Sequence, residues 1–361
     1  MKIKFLALNE TFSYDQIGGT DSYMRRLSGA LVENGYEIEW VFYNCHEYSN
    51  KSRGKLRIFN FVSFNDAFEY CLKDCQFHII ACYLKPKDKL KLIKLWWTPK
   101  IHLSLLCFFY PETFAQKIFR FLEAKILKLK NILCVSKRLV KFYSNVKCSS
   151  LFLPPIVPDN YFEIGYEKTT KRVSDHPDKS NVLFLGRLDP RKGISEVISL
   201  IESPELTDLV NWKVSGILIE EDPGNIEAYA TLKSSKNVSF HNEERACYSP
   251  DVELRVLSFF SEASYFLQPY RSLSSTVDLP LLLLEAQAAG CIVMTTLPEI
   301  LDTYMIGKSC AIPNNFVDIC KEKLKYKTSR LEICQAKDDL DVLRNEYCEE
   351  RVVERFNCYF K

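Results

Sequence analysis

Apolar and polar positions alternate along the chain in blocks typical of strands that are followed by helices. An apolar run at 2–8 precedes a segment at 20–34 with apolar residues at helical spacing, and a second apolar run follows at 36–43. Gly35 lies where the C-cap of a helix belongs. This order predicts the opening of a parallel, doubly wound α/β sheet, in which ligands lie beyond the carboxyl ends of the strands. The pattern continues with predicted strands at 77–82, 101–108 and 132–135 and predicted helices at 87–97 and 115–130.

The pattern breaks near the middle of the chain and then starts again. Pro154, Pro155 and Pro158 interrupt it, and the polar stretch at 167–180 lacks apolar periodicity, which together predict a domain boundary. The second α/β alternation has predicted strands at 181–188, 212–218, 265–268 and 292–295 and predicted helices at 194–201, 253–260 and 281–289. We therefore expect two Rossmann-like domains, at 1–165 and 166–335, and a helical segment at 336–361 that packs back towards the N-terminal domain.

Composition favours a folded, two-domain protein. The sequence is 47% hydrophobic and 26% charged, which is ordinary for a globular protein. Its length of 361 residues is too great for one typical domain. The first residues do not form a signal peptide, and no stretch reaches the roughly 18 apolar residues of a spanning helix. The 14 cysteines are scattered singly, which favours reduced thiols. We expect a cytoplasmic protein.

Charge is unevenly distributed along the chain. The net charge of +2 argues against a nucleic-acid partner, but residues 85–141 carry fourteen Lys or Arg against three acidic residues. Tryptophan, phenylalanine and leucine are interleaved with these basic residues, so one interpretation is peripheral contact with an anionic membrane, at its inner face. The other interpretation is a set of solvated helix faces.

Two segments have the composition of a phosphate site. Gly18 and Gly19 lie between the first predicted strand and helix, where a ligand can approach the backbone, although a plain tight turn has the same sequence. The second segment runs from Gly186 and Arg187, at the end of a predicted strand, to Lys192 and the glycine that precedes the next helix. A guanidinium and an ammonium beside a helix N-terminus are suited to a diphosphate.

A third segment places a carboxylate inside an apolar helix. Glu285 lies among leucines and alanines in the predicted helix that starts near Leu281. A buried carboxylate needs hydrogen-bond donors, which can be ligand hydroxyls or protein groups. A structural salt bridge is therefore the alternative to a ligand contact.

Together these segments resemble glycosyltransferase family 4, along nearly the whole chain. The resemblance implies the GT-B fold, with two Rossmann-like domains facing a cleft, and a retaining enzyme that takes its sugar from a nucleoside-diphosphate sugar without a metal or other cofactor. It implies an acceptor-side N-terminal domain and a donor-binding C-terminal domain. Arg187 and Lys192 would then bind the diphosphate and stabilise the leaving group. Glu285 would accept hydrogen bonds from the ribose, with Gly18, Gly19, Gly186 and the helix start at Leu281 near the donor.

Two positions depart from the family pattern. The family has two glutamates eight positions apart, but the position eight before Glu285 is Val277, so Asp278 either takes the sugar-facing role or the role is missing. The family also places a histidine at the end of an N-terminal strand. His102 is the nearest candidate for this sugar contact, although it comes early in its strand and a core histidine is the alternative.

Several other functions stay open. The resemblance implies a saccharide or lipid-linked acceptor in glycan or polysaccharide synthesis, whereas the altered glutamate pair also fits a non-catalytic GT-B protein that binds a nucleotide or a partner. A sugar-nucleotide epimerase is a further alternative. Cys71, Cys75 and His78 do not have the spacing of a common zinc site, and Asp339 and Asp341 lie in a predicted charged helix, so we expect no metal site.

Overall fold

The computed structural model describes residues 1–8, 19–73, 77–82, 84–93, 101–126, 131–145, 147–171, 179–217, 223–243, 249–271, 277–296, 307, 309–325 and 337–360. The chain divides into two compact units, of which unit 1 comprises 1–156 and 349–361 and unit 2 comprises 157–348.

Unit 1 is an α/β unit built on a mostly parallel sheet. Its strands are ordered β3-β4-β2-β1-β5-β6-β7-β8, with β3 antiparallel to β4 and the other neighbours parallel. Its elements up to residue 156 are β1 (Lys2–Leu8), α1 (Gly19–Glu33), β2 (Glu37–Tyr43), β3 (Ser49–Arg53), β4 (Leu56–Asn60), α2 (Phe64–Leu72), β5 (Phe77–Cys82), α3 (Pro86–Lys91), β6 (Ile101–Cys107), α4 (Phe114–Ile126), β7 (Asn131–Cys134), α5 (Lys137–Asn145) and β8 (Ser150–Phe152).

Unit 2 is a second α/β unit with a parallel sheet in the order β11-β10-β9-β12-β13-β14. Its elements are α6 (Asp159–Lys171), β9 (Ser180–Arg187), α7 (Ile194–Ile201), β10 (Val210–Ile217), α8 (Pro223–Ser234), β11 (Val238–Glu243), α9 (Pro250–Glu262), β12 (Tyr265–Gln268), α10 (Leu281–Ala288), β13 (Ile292–Thr295), β14 (Cys310–Ala311), α11 (Phe316–Lys325) and α12 (Lys337–Tyr347). The last helix of the chain, α13 (Glu349–Phe360), belongs to unit 1.

Local sequence explains several of these boundaries. Gly35 has a φ of +90°, and the Gly35 and Tyr36 amides donate to the carbonyls of Val32 and Leu31, which closes α1 as its position predicts. Strands β1, β2, β12 and β13 and the middle of β9 are buried, as expected for parallel strands covered by helices on both faces. The predicted α/β class with two doubly wound units is therefore confirmed.

The division between the units differs from the sequence-based boundary at 165. Helix α6 spans that position and packs in unit 2, where a Cβ on Gly165 would lie 2.1 Å from the Ala288 carbonyl oxygen. The buried Lys168 ammonium donates to the carbonyls of Phe260 and Ala263, at 2.5 and 2.8 Å. These contacts hold α6 against α10 and α9, so unit 2 starts before this helix.

The C-terminal segment at 336–361 is likewise divided. Helix α12 packs on α6 and α10 in unit 2, whereas α13 packs on α1 in unit 1. Phe356 of α13 is fully buried, with its ring edge-on to Tyr36, and the Tyr36 hydroxyl donates to Asn357. Only α13 therefore has the position that was expected for the whole segment.

Candidate functional site

Two neighbouring strands of unit 2 each lead into a segment that carries residues indicated by the sequence. Strands β9 and β12 pair in parallel, so the chain leaves both at the same edge of the sheet. Arg187 ends β9, and Tyr270 follows β12 by two residues. The two connections touch, because the Arg271 amide donates to the Arg191 carbonyl at 3.0 Å. The candidate site is the edge formed by these connections, 186–193 after β9 and 269–281 after β12, of which 272–276 lie outside the described residues.

A buried aspartate organises the connection after β9. Asp189 is 1% exposed, and its carboxylate accepts from the Arg191 amide at 2.9 Å and from the Arg191 guanidinium at 2.8 Å. Arg187 Nη2 lies 3.7 Å from the same carboxylate. Burial raises the pKa of Asp189, but the hydrogen bonds and charges of Arg191, together with the charge of Arg187, outweigh burial and hold the pKa below its usual value. Asp189 therefore stays ionised and fixes a turn from Pro190 to Lys192.

Glycine is required at the end of this turn for two reasons. Gly193 has a φ of +78°, a conformation that side-chain-bearing residues rarely adopt. A Cβ there would also lie 1.9 Å from the carbonyl oxygen of Pro269. Gly193 thus lets the connection after β12 lie directly against the start of α7.

Lys192 lies between the two connections. Its Nζ is 4.6 Å from the centre of the Tyr270 ring, which is itself buried. Burial and the positive charge of Arg187 lower the pKa of Lys192 to about 7, although the charge of Asp189 partly opposes them. No described residue forms an ion pair with Lys192. An anion placed beside Arg187 and Lys192 would therefore relieve a local excess of positive charge.

The connection after β12 leads into α10, where the predicted carboxylate is found. Glu285 is 3% exposed, as is Asp278, which precedes the helix. Leu281 is the first residue of α10 and its side chain is buried. Gln268 supports this edge, since its side-chain amide donates to the Leu185 carbonyl of β9 at 2.5 Å.

The remaining predicted site residues lie in unit 1. Gly19 is the exposed first residue of α1, with no atom within 4 Å of the position a Cβ would take, and Gly18 lies outside the described residues. His102 is the second residue of β6, at the amino end of this parallel strand, and its ring stacks on His78 at 4.8 Å. His102 is thus placed away from the carboxyl edge at which α/β sheets hold ligands, which favours the core-histidine alternative.

Other residues weighed from the sequence have structural positions. Cys71 is buried at the end of α2, whereas Cys75 lies outside the described residues. Asp341 on α12 accepts a hydrogen bond from the Tyr166 hydroxyl at 2.6 Å. In the part of the chain that the structure describes, no three His, Cys, Asp or Glu side chains are grouped as metal ligands. None of the described helices has the length and apolar character needed to cross a membrane.

Two features of the site could not be found from the sequence. Asp189 looks like a loop residue, and only its burial identifies it as the anchor of Arg191. Tyr270 contacts Lys192 only because β9 and β12 are neighbours in the sheet, although they are separated in sequence by two further strands.

No family model and no curated protein matches the chain. Solved structures match over nearly its whole length. Sucrose-phosphate synthase from Thermosynechococcus elongatus is 13% identical with a TM-score of 0.68, over 99% of this chain and 98% of that one. An α,α-trehalose-phosphate synthase (UDP-forming) from Burkholderia vietnamiensis is 10% identical with a TM-score of 0.65, over 99% of both chains.

A third structure, Anabaena HepE in complex with UDP and glucose, is 10% identical with a TM-score of 0.69, over 100% of this chain and 99% of that one. All three are glycosyltransferases of the GT-B class. At such low identity the likeness concerns the fold, in which both α/β units and their order are matched. The chain therefore has the GT-B fold.

Proposed function

We propose that the protein is a glycosyltransferase that takes a hexose-type sugar from a nucleoside-diphosphate sugar. The observation that carries this proposal is the placement of Arg187 and Lys192 at one edge of the unit 2 sheet, before the N-terminus of α7, with no carboxylate among the described residues paired to Lys192. A diphosphate supplies the negative charge that this edge lacks. The names of structures with the same fold support the proposal, since one is UDP-forming and another holds UDP and glucose.

In this proposal Arg187 and Lys192 stabilise the departing nucleoside diphosphate. The bond between the anomeric carbon and the phosphate oxygen breaks, and the acceptor hydroxyl forms its bond to that carbon from the same face, so configuration is retained. The hydroxyl proton passes to the departing phosphate. Catalysis is then mainly electrostatic, because two fixed cations face the charge that develops on the leaving group. Glu285 accepts hydrogen bonds from the ribose in this scheme, and Asp278 is the candidate for the sugar-facing carboxylate.

The positive charges of Arg187 and Lys192 also stabilise the negative charge of the leaving group, as a metal ion does in many phosphoryl-transfer sites. We therefore propose that transfer needs no metal. We propose a saccharide or lipid-linked acceptor, as in glycan or polysaccharide synthesis, and a cytoplasmic location. The described cysteines, none of which forms a disulfide, are consistent with a reducing compartment.

The test is donor binding followed by transfer. Calorimetry against uridine, guanosine, adenosine, cytidine and thymidine diphosphates and their sugars, with magnesium or with EDTA, identifies the base. We expect one base to bind irrespective of magnesium, and the Arg187→Ala, Lys192→Ala double variant to weaken that binding at least a hundredfold, since charge-assisted hydrogen bonds contribute about 1.5–3 kcal/mol each. Lys233→Ala is the matched control, because Lys233 also lies over a tyrosine ring in unit 2 but outside the site. Unchanged donor affinity in a folded double variant would disprove the assignment.

Two alternatives make different predictions in the same assay. A non-catalytic nucleotide-binding protein binds the donor but neither hydrolyses it nor transfers its sugar. An epimerase converts the sugar of the donor without any acceptor. Following the donor by chromatography with and without candidate acceptors separates these outcomes.

A further inference from the structure

Unit 1 has a pocket of its own at the carboxyl edge of its sheet. It has a volume of about 190 Å³ and lies beyond the ends of β1, β5 and β6, which are neighbours in the sheet. Leu84, Leu105, Leu106 and Phe108 form its apolar walls. Because a water molecule occupies about 30 Å³ of the liquid, the pocket has room for a group several times larger than water.

Cationic side chains from three segments line this apolar pocket. Lys85 follows β5, Lys89 lies on α3 and Arg120 lies on α4. Lys89 is 8% exposed, and burial followed by the charge of Arg120 lowers its pKa, although Glu123 partly opposes them. Keeping several cations beside apolar walls is costly unless negative charge is close to them.

One buried carboxylate is shared between two of the cations. Glu123 forms an ion pair with Lys89 Nζ at 2.5 Å through one oxygen and accepts a hydrogen bond from Arg120 Nη1 at 2.8 Å through the other. Asp88, the next residue to Lys89, lies 3.7 Å from Lys91 instead. Burial raises the pKa values of Cys107 and Tyr143 beside Arg120, so these groups are neutral and add no negative charge. Glu123 thus carries one negative charge against the two positive charges of Lys89 and Arg120, so it balances only part of the charge of this pair.

We propose that this pocket binds a phosphate group carried by the acceptor, on a sugar or on a lipid. Arg120 donates to the phosphate with the guanidinium nitrogens that do not contact Glu123, and Lys89 and Lys85, which line the same pocket, add positive charge. Glu123 holds Lys89 and Arg120 in place, so it is a positioning residue. The apolar walls contact the carbon skeleton next to the phosphate and exclude water, which strengthens the charged contacts.

The identity of this ligand as the acceptor rests on the proposed transferase activity, whereas the preference of the pocket for an anion does not. Phosphate binding is therefore measured without donor. To remove phosphate binding at the donor site, the measurement uses the Arg187→Ala, Lys192→Ala background. Calorimetry and thermal shift then compare inorganic phosphate, a hexose, the same hexose as its 6-phosphate, and a polyprenyl phosphate in detergent micelles.

We expect a phosphate-bearing probe to bind and the free hexose not to bind. Arg120→Gln should weaken binding of the phosphate probe at least tenfold. Arg120→Lys, which keeps the charge and the pairing to Glu123, should weaken this binding less. Arg57→Gln is the matched control, because Arg57 also pairs with a buried carboxylate of unit 1, Glu39 at 3.1 Å, but does not line the pocket. Binding of the hexose phosphate alone assigns a soluble acceptor, and binding of the polyprenyl phosphate alone assigns a lipid-linked one.

Three results would overturn the proposal: no binding of any phosphate probe, equal binding of the free hexose and its phosphate, or equal phosphate binding by folded Arg120→Gln and its background. Should Arg120→Gln fail to fold, Arg120→Lys together with the hexose comparison decides the question. Phosphate binding in this pocket without donor binding elsewhere would sustain the inference while disproving the transferase, so the two proposals fail separately.

Discussion

Lys192 lies among groups that disfavour its charged form when no ligand is present. Burial and the neighbouring Arg187 bring its pKa to about 7, so near pH 8 most molecules carry a neutral amine there. A bound diphosphate favours the ammonium form and raises this pKa. In the proposed transferase, donor binding is therefore coupled to the uptake of a proton wherever the free amine is neutral.

This coupling predicts how donor affinity depends on pH. Between pH 7.5 and 9 the association constant for the nucleoside diphosphate should fall with rising pH, by up to tenfold per unit, because the protein must first acquire the proton. Calorimetry at pH 8 in two buffers with different ionisation enthalpies measures the proton uptake directly. Lys192→Arg should keep the affinity of the wild type at pH 7 and lose the pH dependence, since a guanidinium stays charged throughout. A flat profile for the wild type would contradict this account of Lys192.

The sequence indicates those candidate-site residues whose proposed role depends on neighbours along the chain. Arg187, Lys192 and Gly193 belong to one strand-to-helix turn, so their proximity follows from seven consecutive positions. Asp189 and Tyr270 could not be found in this way. The role of Asp189 depends on its burial, and that of Tyr270 depends on the pairing of β9 with β12.

Helix α4 leaves an apolar face exposed, which we call the α4 face: Phe114, Ile118, Phe119, Phe121, Leu122 and Ile126. Phe114 is 78% exposed, and Lys117 and Lys125 lie beside this face, at 5.8 and 5.9 Å from the rings of Tyr110 and Phe121. The other side of the helix carries the buried Glu123. Apolar side chains flanked by lysines suit an anionic lipid surface, and we propose that α4 docks there.

We expect the protein to bind through the α4 face to vesicles that contain phosphatidylglycerol, but not to phosphatidylcholine vesicles. Phe114→Ser with Ile118→Ser should abolish co-sedimentation. Lys117→Glu with Lys125→Glu should weaken it at least tenfold at low salt, since each basic residue near an anionic surface contributes about 1 kcal/mol. Leu254→Ser with Ile226→Ser is the control, because these residues are similarly exposed in unit 2. Equal loss in the control pair, or binding to both vesicle types, would refute α4 as the docking surface.

Elements with strong apolar periodicity were predictable, whereas two others were not. The β3–β4 hairpin was missed because β3, Ser49–Arg53, has no apolar residue and is a strand only through its antiparallel pairing with β4. Helix α6 extends into the polar stretch that indicated a boundary. Tyr161 and Phe162 are buried at its start, and Gly165 and Lys168 hold the part that follows. In both cases tertiary contacts outweigh the local pattern.

At the scale of the whole molecule, unit 1 is completed by the far end of the chain. Helix α13 follows the last helix of unit 2, yet Val352 and Phe356 are fully buried in unit 1 and Val353 nearly so. The sequence predicted terminal helices that return to the N-terminal domain, but it could not show that the change of unit occurs between Cys348 and Glu349. That position depends on which apolar surface each helix meets, and the two helices have similar compositions.

Phe356 tests this arrangement, because its effect should be confined to one unit. Phe356→Ala removes a fully buried ring that lies edge-on to Tyr36, so we expect unit 1 to lose about 3–5 kcal/mol of unfolding free energy. Hydrogen exchange followed by mass spectrometry should show weaker protection of α1 and β2 and unchanged protection of β9 and β10. Val342→Ala, at a position 61% exposed on α12, should change neither unit by more than about 0.5 kcal/mol. If Phe356→Ala weakened protection equally in β9, the two units would unfold as one and the division at residue 349 would have no energetic counterpart. Loss of protection that is confined to unit 1 would instead establish α13 as part of the helical layer that covers the sheet of unit 1.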